Sequence, residues 1–130
     1  MKGNVMQKQQ LTAMEIALAY HHAWTARDLD AALTHVADDV ICEAPSGMLT
    51  GKSALKGFMG PFAETLTRST LLASFGDEDR ALIMYDTANH AVSSAPAAEL
   101  YRVRGGRITE IRIIFDRLPF ALARGDVVRA

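Results

Sequence analysis

Cysteine is nearly absent from this sequence: 130 residues hold one, Cys42, so no disulfide can close within the chain. No paired CxxC and no HExxH spacing accompanies it, which removes the common zinc arrangements and leaves neither metal nor cofactor expected. A reducing, cytoplasmic setting fits that usage. A surplus of one charge is absent as well. Fourteen Lys and Arg against fifteen Asp and Glu give a net charge of −1, with no long basic run, so neither nucleic acid nor an anionic membrane is an expected partner. Long apolar runs are missing too. The start, MKGNVMQKQQ, is polar and lacks the apolar centre of a secretory signal, and no stretch approaches the roughly 20 residues of a membrane span. No internal repeat stands out. What is present is a chain with 49% apolar residues, enough for one core and too short for two domains.

Thr12 and Glu15 stand three apart in capping-box spacing, and Ile16, Ala17, Tyr20 and Trp24 follow at helical intervals, which predicts a helix over residues 13–26. Asp28 is an N-cap candidate for a second, shorter helix with Leu29, Ala32, Leu33 and Val36 on one face, ended by Asp38 and Asp39. Residues 40–43 form a short β-prone run stopped at Pro45, Ser46 and Gly47. From Lys52 to about Leu66 the spacing of Leu55, Phe58, Met59 and Phe62 is helical again, with a break or kink expected at Gly60-Pro61. Everything later reads as strand: residues 69–76, 80–90 and 97–115, the last splitting into a hairpin at Gly105-Gly106. Helices gathered early and strands in a late meander predict an α+β domain with helices covering one face of a mostly antiparallel sheet.

The stretch GMLTGKS at residues 47–53 looks like a phosphate-binding loop, and Asp116 behind Ile113-Ile114-Phe115 like its magnesium-holding acid. A phosphate loop requires four residues between its first glycine and the Gly-Lys pair, and here there are three. It also requires a parallel βαβ sheet, whereas this chain ends in consecutive strands. Thr50 or Gly51 is therefore expected simply to begin the third helix. Adjacent His21 and His22 cannot share one helix face as metal ligands.

The order of elements resembles the nuclear-transport-factor-2-like superfamily. The residues that carry it are Tyr20, Arg27-Asp28-Leu29-Asp30, Ala37-Asp38-Asp39-Val40, Pro45, Gly51 and the run VRGGRITEI at residues 103–111. Within that superfamily the SnoaL-like group and ketosteroid isomerase are most similar, over roughly residues 12–120. The resemblance implies a cone-shaped barrel, a curved, mostly antiparallel sheet wrapped around N-terminal helices, usually as a homodimer. It divides the chain into a flexible arm at residues 1–11, one SnoaL-like domain at 12–122 and a C-terminal tail at 123–130.

Ketosteroid isomerase uses an acidic base with an oxyanion hole made by a tyrosine and a protonated carboxylic acid. By resemblance its tyrosine matches Tyr20 and its oxyanion acid Glu99, while its base falls on Ala44, which cannot take a proton. Neighbouring Glu43 should point to the opposite strand face. The catalytic aspartate of the polyketide cyclases corresponds to Ile113. These matches depend on the hairpin. A three-residue loop over residues 104–106 places Glu99, Tyr101, Val103, Ile111, Ile113 and Phe115 on one face, whereas a two-residue turn sets Glu99 beside Arg112. The first separates a clean apolar wall and is preferred.

On that reading Tyr20, Glu99 and Asp86 are the candidate catalytic groups: burial would favour the acid form of Glu99, Tyr20 would donate beside it, and Asp86 is the available base. The expected pocket wall takes Trp24, Phe58 and Phe62 from the helices and Met84, Tyr101, Ile111, Ile113 and Phe115 from the strands. The implied ligand is a small hydrophobic carbonyl compound, bound by a cofactor-independent isomerase or cyclase or by a non-catalytic binding or dimerisation module. Leu100, Ile108 and Ile114 on a convex sheet face point to a homodimer.

Overall fold

A computed structural model describes residues 11–128. The expected N-terminal arm thus lies, apart from Leu11, outside the described residues. Helix α1 (Ala13–Thr25) opens with a complete capping box: the Thr12 hydroxyl accepts the Glu15 N–H at 3.1 Å, and the Glu15 carboxylate accepts the Thr12 N–H at 2.8 Å. Its buried residues, Ala13, Ile16, Ala17, Tyr20, His21 and Trp24, form one stripe at helical spacing. Each large side chain of that stripe stabilises the fold by about 1.5–3 kcal/mol through burial. Helix α2 (Leu29–Leu33) is capped by Asp28, which accepts the Ala31 N–H. It is shorter than the spacing suggested, because Val36 begins strand β1 (Val36–Ala44) and Asp38 and Asp39 lie within that strand.

Strand β2 (Gly47–Thr50) returns antiparallel to β1, so the phosphate-loop lookalike is a strand followed by the N-cap Gly51 of helix α3 (Lys52–Thr65). Gly51 has φ +90, a backbone geometry that favours glycine. Pro61 sits inside α3 without ending it, so of the break or kink expected there the break does not occur. Strands β3 (Arg68–Gly76), β4 (Arg80–Ala88), β5 (Ala95–Arg104) and β6 (Arg107–Phe115) complete the sheet. A final helix, α4 (Leu118–Arg124), lies beyond the last expected strand, across the end of the expected domain and the start of the expected tail. The Asp116 carboxylate accepts the Leu118 N–H at 2.9 Å and so links β6 to this helix.

The six strands form one curved, unclosed sheet in the order β2-β1-β6-β5-β4-β3, with β1 and β6 parallel and every other pair antiparallel. The helices fill its concave side, giving the α+β cone expected. Burial alternates along β4 and β5, so each has one face inward and one outward.

The hairpin between β5 and β6 combines both registers considered from sequence. Gly105 and Gly106, with φ of +59 and +77, form a two-residue turn that pairs Arg104 with Arg107. The register then shifts between Arg102 and Val103, with Thr109 as the extra residue on β6. Beyond this bulge Tyr101 faces Ile111 and Glu99 faces Ile113. The face assignment expected of a three-residue loop is reached by another route. The bulge also turns Ile108 inward, where it is fully buried, so Ile108 is not part of the outer face as the alternation had suggested. Leu100 and Ile114 are on that outer face, exposed with Ile41, Leu82 and Met84.

Candidate functional site

Between α3, α4 and the inner sheet face lies a cavity of about 280 Å³. Phe58 and Phe62 reach it from α3, Phe115 and Ile113 from β6, and Phe120 from α4. Phe120 packs edge-on against both Phe62 and Phe115, at ring distances of 6.2 and 5.7 Å. The polar wall comes from Tyr85, Thr87 and Glu99 on the sheet and from Ser46, Arg117 and Arg124 elsewhere.

Glu99 is fully buried and both its oxygens are engaged. Oε1 is 2.5 Å from the Tyr101 hydroxyl, and Oε2 makes a short hydrogen bond with the Tyr85 hydroxyl. Strand pairing builds this arrangement. Glu99 and Tyr101 are two apart on β5 and share its inner face, and Glu99 stands opposite Ile83, two residues from Tyr85 on β4. Burial raises the Glu99 pKa above its ordinary value, and the hydrogen bonds from Tyr101 and Tyr85, which favour the carboxylate, offset only part of that. Both tyrosines are pushed well above the usual phenol range, first by burial and then by the neighbouring Glu99 charge. A buried carboxyl held toward its neutral form, bonded to a phenol that lines a cavity, can polarise the oxygen of a bound carbonyl.

Of the three residues expected to carry chemistry, the structure joins Glu99 to Tyr85 and Tyr101 rather than to Tyr20 and Asp86. Tyr20 is completely buried against Tyr101, ring centroids 5.8 Å apart, and its hydroxyl has no protein hydrogen-bond partner. It belongs to the packed interior under α1 and not to the cavity wall. Asp86 is a correction. The β4 alternation puts Ala81, Ile83, Tyr85 and Thr87 inward, so Asp86 faces outward, where it accepts from Arg68, Ser94 and the Ala95 N–H. Desolvation alone would raise its pKa, but those hydrogen bonds outweigh it and hold the carboxyl below its ordinary value. It cannot serve the cavity as a base.

Met84 is displaced by the same register, with 45% of its surface exposed on the outer face, and is removed from the expected wall. Phe58, Phe62, Ile113 and Phe115 line the cavity as expected. Trp24, Tyr101 and Ile111 are buried in the core behind it. Ala44 does face inward, buried beside Cys42 on β1, and Glu43 points outward into an ion pair with Arg112 at 2.6 Å. The position that would hold a base is therefore apolar, and its neighbour is engaged elsewhere.

Tyr85 was missed from the sequence. Residues 80–88 carry apolar side chains at odd and even positions alike, so periodicity alone could not say which set faced in. The available signal was charge: Arg80 and Asp86 both fall on even positions, which marks the odd set containing Tyr85 as the inner one. His21 also escaped notice as a core residue: it is buried between Trp24 and Tyr85, with ring distances of 5.3 and 4.7 Å, and burial lowers its pKa to about 4. The Cys42 thiol is fully buried, and that burial is the chief cause pushing its pKa up to about 12. Among the described residues no three His, Cys, Asp or Glu side chains gather as metal ligands, and no helix is long and apolar enough to cross a membrane.

The sequence pattern described as a SnoaL-like domain matches residues 17–111. A solved structure from Kribbella flavida is 51% identical, covers 88% of this chain and 95% of that one, and superposes with a TM-score of 0.86. A nuclear-transport-factor-2-like protein of unknown function from Cytophaga hutchinsonii is 21% identical over 88% of this chain and 98% of its own, TM-score 0.75. A provisionally named polyketide cyclase from Sinorhizobium meliloti is 22% identical over 77% and 94%, TM-score 0.68. Among proteins with curated descriptions, none is significantly similar in sequence.

Proposed function

The chain belongs to the SnoaL-like domain family, and from that membership we propose that its cone binds a small hydrophobic carbonyl compound, with Tyr85 as the donor to the ligand oxygen and Glu99 and Tyr101 behind it. The observation that carries this reading is the Tyr85–Glu99–Tyr101 hydrogen-bonded set at the edge of an aromatic-walled cavity. With Glu99 protonated, its O–H is given to the Tyr85 oxygen, Tyr101 donates to the other carboxyl oxygen, and the Tyr85 proton is free to point at the ligand. Negative charge developing on that oxygen is stabilised by a donor already in place against a largely aromatic wall. Polarising a carbonyl acidifies its α-hydrogen, which assists a cofactor-independent isomerisation or cyclisation in which water or a basic group of the substrate itself takes that proton, the cavity wall offering no second carboxylate among the described residues. The cyclase name of the Sinorhizobium meliloti protein supports that class.

A second reading, a ligand-binding module without chemistry, is favoured by Ala44 and by Glu99 being the one carboxylate on the cavity wall among the described residues. Titrating 2-naphthol into the wild type, Tyr85→Phe, Glu99→Gln and Glu99→Leu tests the donor set. Glu99→Gln preserves a neutral donor and should bind within a fewfold of the wild type, whereas Tyr85→Phe and Glu99→Leu should each weaken binding about tenfold or more. Equal affinity across all four proteins would refute the site. On the same proposal a second copy covers the outer apolar face, so replacing Leu100 and Ile114 together by lysine should yield a monomer in sedimentation.

A further inference from the structure

The cavity is chemically two-ended. Its polar inner wall holds Glu99, whose burial favours the neutral acid, while Arg117 and Arg124 contribute two guanidinium groups from the exposed side. Between them stand Phe58, Phe62, Phe115 and Phe120. Arg117 immediately precedes α4; it donates to the Pro45 carbonyl at 3.4 Å and has no carboxylate partner among the described residues. Arg124, at the last turn of α4, is paired with Asp126 at 2.7 Å, an exposed contact of the kind a ligand can exchange. Arg117 thus brings a permanent positive charge with no carboxylate partner among the described residues to the exposed side of the cavity.

Resting on the carbonyl-binding reading above, we propose that the ligand of this cavity is an aromatic carboxylate: a planar ring among the four phenylalanines, a carbonyl or phenolic oxygen at Tyr85, and a carboxylate at the far end on Arg117, with Arg124 assisting. A guanidinium fork matches a carboxylate with two parallel charge-assisted hydrogen bonds. A ligand charge at this end stays away from Glu99, so the two ends do not compete for the same proton. The structure thus assigns Arg117 a specificity role that Tyr85 and Glu99 cannot supply.

Three probes separate the two ends: 6-hydroxy-2-naphthoate, its methyl ester and 2-naphthol, titrated into the full chain with Trp24 fluorescence and calorimetry as readouts. The wild type should bind the acid at least tenfold more tightly than the ester, with the gap narrowing in 0.5 M sodium chloride as exposed charges are screened. Arg117→Ala should remove most of that gap, weakening the acid far more than the ester or naphthol. Arg124→Ala should have a smaller effect, and Asp126→Asn should tighten the acid by freeing Arg124. Tyr85→Phe should weaken acid and ester by the same factor. Equal binding of acid and ester by the wild type overturns the carboxylate assignment and leaves the donor set standing. An acid preference that vanishes in Arg117→Ala while Tyr85→Phe changes nothing supports the carboxylate end and overturns the donor set. Absence of binding by all three probes overturns both.

Discussion

The two halves of the cone's interior are built from the same kinds of residue and end differently. Under α1, Tyr20, Trp24, Tyr101 and Ile111 are buried in a continuous core. Under α4, Phe58, Phe62, Phe115 and Phe120 surround open space of about 280 Å³. Composition does not explain the contrast, since both halves are aromatic. The covering helix does. α1 has 13 residues, a full capping box and an unbroken buried stripe, whereas α4 has seven residues, none of them buried. A long amphipathic helix presses its side chains into the sheet to interior density, and a short one touching through Phe120 leaves a hollow. Glu99 and Tyr85 belong to both halves: each lines the cavity, yet Glu99 bonds Tyr101 of the packed half and Tyr85 packs against Trp24 at 5.6 Å. A donor set anchored in rigid core and facing open space is what ligand recognition needs.

The contrast can be broken first at Trp24. Trp24→Ala should cost about 3–5 kcal/mol in urea unfolding, since the packed half cannot collapse around so large a void. Next is the pH response of His21, buried in the packed half between Trp24 and Tyr85. Its folded pKa is about 4 and its ordinary value 6.5, so the unfolded chain takes up a proton before the folded one. Stability from this group is complete above 6.5 and lost as pH falls through about 4, on the order of 3 kcal/mol at full effect. His21→Gln should flatten that acid limb in pH-dependent melts. Glu99 works in the opposite sense: its folded pKa is raised above 4.5, so its contribution is present below 4.5 and declines as pH rises through the folded value.

Smaller again is Tyr101→Phe, which leaves Glu99 Oε1 without its donor and should cost about 1–3 kcal/mol in the same assay. Smallest is Phe120→Ala. In the open half it should cost less than about 1.5 kcal/mol, while weakening aromatic ligands severalfold. If Phe120→Ala destabilised the protein as much as Trp24→Ala, the distinction between the halves would be lost.

The architecture was readable from the sequence because it rests on strong local signals: the Thr12–Glu15 box, the stripe from Ile16 to Trp24 and the glycine pair before Arg107. Glu99 was readable as an inward acid for the same reason, through its alternation with Tyr101 and Val103. Tyr85 and Asp86 were exchanged because β4 has apolar residues on both faces, its outer Leu82 and Met84 being indistinguishable in period from its inner Ile83. The Thr109 bulge left no composition signal, yet it restored the face pattern that a two-residue turn alone would have reversed. α4 was hidden because a seven-residue helix with no buried position carries little periodicity.

The central claim is that Glu99 is a neutral-leaning acid held by Tyr85 and Tyr101 at the boundary between packed core and cavity. Carbon-13 NMR of the labelled glutamate carboxyls, with Glu99→Gln to assign the resonance, measures it directly. The Glu99 signal should titrate above 4.5 in the wild type and move higher still in Tyr85→Phe, because that hydroxyl favours the charged form. A Glu99 carboxyl titrating at or below 4.5, and indifferent to the loss of Tyr85, would contradict the account.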